Sequence, residues 1–339
     1  MKKDVTADAT VVLDVVNLVV HFPVRRGWRR RTVVRAVDDV SFQIHRGEIV
    51  ALVGESGCGK STIAMAVMRL LVPTSGNIVS GGQDLALLRG RKLRAARRRL
   101  QMIFQDPFGS LDSRQRVYDA VAEPLIIHRI GSSKSERDEM VINALDLAHL
   151  RPPERLAEMF PHELSGGQRQ RVAIAAAMVM QPDLVVADEP VSMLDVSARV
   201  GILRLMMDLR DRLGISYLFI THDLATAWVV ADRIAVVYLG RIVEIGAVTT
   251  VVGAPSHPYT RALLDVTDDD SGEQSLRVLK GETPSALQIP SGCRFHPRCP
   301  RYLELGGPDV CRTMDPSLDA VGEGGDDHRC ACHFAKVST

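Results

Sequence analysis

No apolar run in this 339-residue chain approaches the ~18 residues that a helix needs to cross a bilayer. Its first residues, Met1-Lys2-Lys3-Asp4, lead into polar sequence and not into the apolar core of a secretory signal. A soluble, intracellular protein is expected. An excess of one charge is also missing: 42 Lys and Arg face 41 Asp and Glu, and the net charge of +1 gives no global argument for a nucleic-acid partner. Before residue 290 the only cysteine is Cys58, which excludes a chain-wide disulfide framework. The other cysteines crowd into the C-terminal stretch and mark a local site. What the chain does have is length, enough to bury about three-quarters of its unfolded surface in more than one domain.

The strongest motif is Gly54-Glu55-Ser56-Gly57-Cys58-Gly59-Lys60-Ser61-Thr62, which fits the phosphate-loop pattern G-x-x-x-x-G-K-[ST]. Small residues there let successive backbone N–H groups converge on phosphate oxygens at a helix start. Lys60 supplies a point charge to the outer phosphates, and Ser61 offers a hydroxyl to phosphate-bound Mg²⁺. The flanks agree, since residues 48–53 read as a buried strand and 63–71 as a helix. Cys58 reads as a small loop residue.

Upstream, residues 11–22 and 33–44 read as strands around a basic loop with Arg25, Arg26, Arg29, Arg30 and Arg31. That loop is either a solvated hairpin tip or a contact with headgroups or a partner. Phe22 either stacks on a nucleotide base or ends its strand as core. Downstream, residues 89–99 read as a solvent-exposed basic helix, and 100–105 as a buried strand stopped by Asp106-Pro107. Gln105 then falls at a strand end, where a side-chain amide either coordinates Mg²⁺ and orients water or simply occupies a turn. Helical pieces fill residues 115–162. In Leu164-Ser165-Gly166-Gly167-Gln168, Ser165 caps a helix whose glycine-rich start is a second anion site or only a cap. Residues 184–189 form an apolar strand ending in Asp188 and Glu189, whose side chains alternation points in opposite directions. One suits Mg²⁺ binding and the other the activation of water. Leu194-Asp195 follows. A further strand ends at Thr221-His222-Asp223, and residues 234–245 read as a hairpin turning at Gly240.

This order of elements resembles the ATP-binding-cassette (ABC) ATPase family over residues 11–255. Gly54 to Ser61 matches the family's phosphate loop, Gln105 its glutamine loop, and Leu164 to Gln168 its LSGGQ signature. Asp188 matches the Walker B carboxylate, Glu189 the catalytic glutamate, Asp195 the D-loop aspartate, His222 the switch histidine, and Phe22 the adenine-stacking aromatic. Val191, Met193 and Ala176 depart from the family's common residues without touching these groups. The resemblance implies an α/β phosphate-loop NTPase fold: a RecA-like core sheet, an antiparallel β subdomain and an inserted helical subdomain near 108–180. It also implies ATP hydrolysis with Mg²⁺, in which the signature of one subunit caps the ATP held by another.

Narrower features resemble the dipeptide/oligopeptide/nickel importer branch, closer to the second of its paired ATPase subunits. They are His21-Phe22-Pro23-Val24, Phe104-Gln105-Asp106-Pro107 and, above all, residues 256–264 beginning Ser256-His257-Pro258-Tyr259-Thr260. The branch implies a second cassette, two membrane permease subunits and an external solute-binding protein, with this chain peripheral on the cytoplasmic face of the inner membrane. It implies import of peptides, or of nickel as the alternative, and no nucleic acid. Residues 1–255 are then the nucleotide-binding domain and 256–339 a small cysteine-containing extension, joined through Asp268 to Gly272. By the same resemblance Cys293, Cys299, Cys311 and Cys332 would hold a [4Fe–4S] cluster, with Cys330 spare. Residue spacing alone favours zinc, and a disulfide or no metal stays open.

Overall fold

Apolar residues follow one another without a break in the central strands because neither face of those strands meets water. In β3 (Ile49–Val53), Ile49, Ala51 and Val53 join one core cluster, while Val50 and Leu52 join a second on the opposite face. The structure is a computed structural model that describes residues 10–26, 30–265, 284–321 and 327–335. Before β3 come β1 (Val11–Arg26) and β2 (Arg30–His45), and after it β4 (Ser75–Ser80), β5 (Gln83–Asp84), β6 (Leu100–Ile103) and β7 (Leu184–Asp188). Then follow β8 (Ser216–Thr221), β9 (Arg233–Tyr238), β10 (Arg241–Ala247), β11 (Asp319–Ala320) and β12 (Arg329–Cys330). Among the described residues they make a four-stranded sheet ordered β2-β1-β4-β5 and an eight-stranded sheet ordered β11-β12-β10-β9-β3-β8-β7-β6.

The smaller sheet is antiparallel, and the β1–β2 hairpin shifts register several times before His21, then pairs regularly out to Arg26 opposite Arg30. Residues 27–29, and with them the tip of the basic loop, lie outside the described residues. In the larger sheet β6, β7, β8, β3 and β9 run parallel. Their carboxyl ends therefore share one rim, the edge at which open α/β sheets bind ligands. The helix Lys60–Val67 lies between the two sheets, and its Ile63, Ala64 and Val67 pack with Leu13, Val15 and Leu52.

The expected exposed basic helix is Gly90–Arg97, which buries no residue. The expected helical pieces are Val117–His128 and Lys134–Leu147, packed against Gly166–Met178 through Val117, Val121, Leu125 and Leu145, and Pro153–Ala157, packed against the first two. Ala120, Met140 and Leu147 are half-buried at the margin of the same cluster.

The sequence reading ends the large sheet at the β9–β10 hairpin, and the structure adds two short strands beyond it. β12 pairs with β10, setting Cys330 opposite Glu244. The Glu244 carboxylate is fully buried and accepts hydrogen bonds from the Ser256 amide (2.7 Å), the His257 amide (3.0 Å) and His328 Nε2 (2.8 Å). Burial raises its carboxyl and these donors outweigh that, holding it below the ordinary glutamate value. His257 is buried as well, and burial pushes its imidazole down to about 4, so it is neutral at pH 7. Its Nδ1 accepts the Tyr259 amide (3.0 Å) as the helix Pro258–Asp265 begins. The Ser256-His257-Pro258-Tyr259 motif is thus a helix start fastened to a buried carboxylate. Residues 268–272, expected as a connection, lie outside the described residues.

Replacing Glu244 with alanine strands His328 and two amides in the core. A loss of about 3–5 kcal/mol is expected in urea denaturation, as for other buried charge networks broken on one side; a loss below ~1 kcal/mol would show that the network carries little of the packing.

Candidate functional site

The phosphate loop leaves β3 and closes on the helix Lys60–Val67, which has Gly59 at its N-cap and no side-chain hydrogen bond there. The first-turn N–H groups are therefore free of a side-chain cap, as an anion site requires. Two glycines in the loop are fixed by their neighbours. A Cβ at Gly54 would collide with the Val237 carbonyl oxygen, and one at Gly59 with that of Ala36, where φ is also +112°. Lys60 is buried, 5% exposed, yet its ammonium finds only the Gly54 carbonyl (2.6 Å), the Glu55 carbonyl (2.9 Å) and the Cys58 sulfur (3.6 Å). No carboxylate pairs with it among the described residues. A buried cation satisfied only by neutral acceptors suits a polyanion such as a nucleotide phosphate chain. Cys58 is buried and burial raises its thiol pKa, which fits an inert loop residue. Ser56 and Ser61 are exposed and Thr62 is half-buried.

Along β7, Leu184 and Val186 face the cluster that contains the helix Lys60–Val67, and Asp188 follows with the same parity. Its Oδ1 accepts the Ser61 hydroxyl at 3.2 Å. Burial raises the Asp188 carboxyl and so does Glu189, while Ser61 and Lys60 act the other way. Ser61 and Asp188 are hard oxygen donors side by side at the mouth of the loop, a set suited to Mg²⁺. Glu189 leaves the strand with φ +46° and its amide bonded to the Ile220 carbonyl (3.0 Å). The carboxylate turns away from Asp188, as alternation predicts, and Oε2 meets Gln105 Nε2 at 3.1 Å and His222 Nδ1 at 3.2 Å. Gln105, Glu189 and His222 come from the ends of β6, β7 and β8, so the parallel register brings them together.

Other expected site residues are held by local contacts of their own. Ser165 caps the helix Gly166–Met178: its hydroxyl accepts the Gln168 amide (3.3 Å) and Gln168 Oε1 accepts the Ser165 amide (2.9 Å). Ser165 is exposed and Gly166 and Gly167 are half-exposed. Asp195 caps the helix Val196–Leu213 through the Ala198 amide (2.9 Å). Phe22 is 37% exposed on β1, opposite Val34 of β2, two residues before the Ala36 that touches Gly59.

Cys293, Cys299, Cys311 and Cys332 line one cavity of about 20 Å³, walled by Phe295 and Tyr302; Cys330 is buried elsewhere. All six cysteines are free, so the disulfide alternative is not realised. Burial pushes Cys293 up to about 12 and raises the other three. Among the described residues no three His, Cys, Asp or Glu groups are placed to hold a metal ion. The iron–sulfur and zinc expectations therefore have a shared cavity of the right donor type behind them, but no preformed ion site.

Two contacts escaped the sequence reading. The Glu55 amide donates to Tyr259 Oη (2.9 Å), and the Arg298 guanidinium grips the Glu55 carboxylate at 2.8 and 3.1 Å. Both partners lie inside motifs, Ser256 to Tyr259 and Cys293 to Cys299, whose sequence signals only resemblance and thiol spacing.

The family described as "ABC transporter" covers residues 37–192, and "Oligopeptide/dipeptide transporter, C-terminal region" covers 243–304. A Sinorhizobium fredii relative named "Probable peptide ABC transporter ATP-binding protein y4tS" is 44% identical over 326 residues, spanning 95% of this chain and 89% of its own length. The chain belongs to the ABC transporter family. Another relative, a Brucella ovis protein named "Putative peptide import ATP-binding protein", is 45% identical over 95% of this chain and 98% of its own. Among solved cassettes, cbiO1 from Clostridium perfringens, part of the ABC transporter complex cbiONQ, superposes with a TM-score of 0.62 at 28% identity, over 72% of this chain and 92% of that one. The dimeric cassette MJ0796 bound to ADP and Pi superposes with a TM-score of 0.61 at 29% identity, over 70% and 98%. The mixed α/β phosphate-loop NTPase fold expected of the cassette is therefore present. No described helix is long and apolar enough to cross a membrane.

Gly59→Ala tests the loop. Left-handed strain of about 1–3 kcal/mol adds to the collision with Ala36, so nucleotide binding is expected to weaken more than tenfold alongside a lower melting temperature. Titration with a fluorescent ATP analogue measures it, and parent-like affinity would show that the loop relaxes freely.

Proposed function

We propose that this cassette hydrolyses ATP to drive import of di- or oligopeptides. The observation that carries the ATPase part is the convergence of Gln105 and His222 on Glu189, beside the Ser61–Asp188 pair and the buried Lys60. In this reading Lys60 and the amides of residues 54–62 hold the phosphates. Ser61, Asp188 and Gln105 would hold Mg²⁺, which when bound would supply positive charge beside the phosphates. Glu189 orients and deprotonates the attacking water, and His222 fixes the carboxylate and the departing phosphate charge. Phe22 stacks on the base.

Ser165, Gly166, Gly167 and Gln168 lie on a separate, exposed helix start, and Asp195 on another; both serve the site of a second cassette in a head-to-tail pair. The solved relative MJ0796 is dimeric in its ADP and Pi form, which supports the pairing. The pair is a heterodimer, with this chain as the second subunit, beneath two permease subunits on the cytoplasmic face of the inner membrane, fed by an external solute-binding protein. The peptide assignment rests on the match over residues 243–304 and on relatives named for peptide import. Residues 1–255 form the nucleotide-binding unit, with its helical part near 108–180, and 256–339 the extension. Cys293, Cys299, Cys311 and Cys332, gathered around one cavity, are the residues that would hold a [4Fe–4S] cluster, an electron-transfer group when bound.

Glu189→Gln is expected to bind ATP as the parent does and to lose about 10²–10⁴-fold in steady-state hydrolysis; near-normal turnover would remove Glu189 from its role. In the purified permease complex, peptides delivered by the binding protein are expected to stimulate hydrolysis, and stimulation by Ni²⁺ alone would reassign the solute. Anaerobically purified protein is expected to yield iron and acid-labile sulfide, both lost on replacing Cys299 with serine; stoichiometric zinc without sulfide would sink the cluster.

A further inference from the structure

The stretch from Cys293 to Cys299 is a tight knuckle. The His296 amide bonds back to the Cys293 carbonyl (3.1 Å) and the Cys299 amide to that of His296 (3.3 Å), so both end thiols reach the same cavity. Between them the chain sends two arginines away from the cavity and into the cassette. Arg298, with a side chain only 7% exposed, forks onto the Glu55 carboxylate. Arg294, 6% exposed, bonds the Leu239 carbonyl and pairs with Asp38 of β2. Leu239 leads directly to Gly240, whose amide donates to the Cys58 carbonyl at 2.7 Å. The Arg298 arm therefore ends on the phosphate loop at Glu55, and the Arg294 arm ends on the Leu239–Gly240 turn, which itself bonds the loop at Cys58.

A third contact reinforces the first. Tyr259 is fully buried, its ring 4.7 Å from Tyr238 and 5.4 Å from Phe295, and its hydroxyl takes the Glu55 amide. Phe295 belongs to the knuckle and also walls the cysteine cavity. One aromatic cluster thus connects the cavity to the loop entry.

These contacts matter to nucleotide binding for two reasons. A phosphate loop works only while its peptide planes point the right way, and Tyr259 fixes the plane at Glu55. Glu55 is also an anion in a loop built to receive a polyanion, and a fork-shaped guanidinium is the group best suited to neutralise it and hold it aside. We propose that the Cys293–Cys299 knuckle braces the phosphate loop for nucleotide, with Arg298 and Tyr259 as positioning residues acting through Glu55. This rests on the ATP-binding reading above.

The test uses the full chain and reads ATP affinity, the KM for ATP and kcat. Arg298→Ala is expected to weaken ATP binding about tenfold and Tyr259→Phe about threefold, since the first removes both bonds of the fork on the Glu55 carboxylate and the second removes the one bond to the Glu55 amide. Both are expected to raise KM while leaving kcat at saturating ATP within about twofold, a split that general loss of folded protein does not produce. Because Arg298 acts through Glu55, the double variant Glu55→Ala/Arg298→Ala is expected to bind ATP more tightly than Arg298→Ala alone, the unpaired carboxylate having gone. ATP affinity within twofold of the parent in Arg298→Ala, or a double variant weakened by the product of the single effects, overturns the brace. A lower melting temperature with unchanged affinity also overturns it. A parent chain that binds no ATP removes the ATPase reading itself, and the brace with it; a binding parent with unaffected variants removes only the brace.

Discussion

The backbone around the phosphate loop leaves it nowhere else to go. Carbonyl oxygens of Val237 and Ala36 stand where side chains at 54 and 59 would begin, so the loop lies against the end of β9 on one side and against β2 on the other. Because β2 belongs to the small antiparallel sheet and β9 to the large one, both sheets are positioned against the same few residues. The helix that continues from the loop then fills the space between them, and the chemistry at the rim inherits its geometry from this contact.

That rim was largely legible in the sequence. β3, β7 and β8 announce themselves as apolar runs because both faces are buried, and each run gives way at the rim to a residue of the site: the loop glycine Gly54, and the polar Glu189 and His222. Period-2 alternation even separated Asp188 from Glu189, and the structure sends one to Ser61 and the other to Gln105 and His222. Ser165 as a helix cap needed only local chemistry, a hydroxyl three residues before the amide that it accepts.

What the sequence hid is what depends on distance along the chain. β11 and β12 are two residues each, too short for any periodicity, and exist because β10 offers an open edge. Tyr259 and Arg298 meet Glu55 across separations of 204 and 243 residues. Nothing local in either motif signals that meeting, since a tyrosine at a helix start and an arginine between cysteines both have ordinary local uses. The thiols are a middle case: sequence located the four, and only the fold shows that they share a cavity while Cys330 turns into the sheet.

The late origin of β11 and β12 also sets an order of events during synthesis. The strand that completes the β10 edge, and the histidine that meets the buried Glu244 carboxylate, come from residues 328–330, more than 80 residues after the edge itself. Until they leave the ribosome, the nascent cassette carries an unpaired sheet edge and a carboxylate without its imidazole partner, both invitations to wrong pairing. The C-terminal segment is thus a closing stitch, and the sheet reaches its final form only as translation of this region ends.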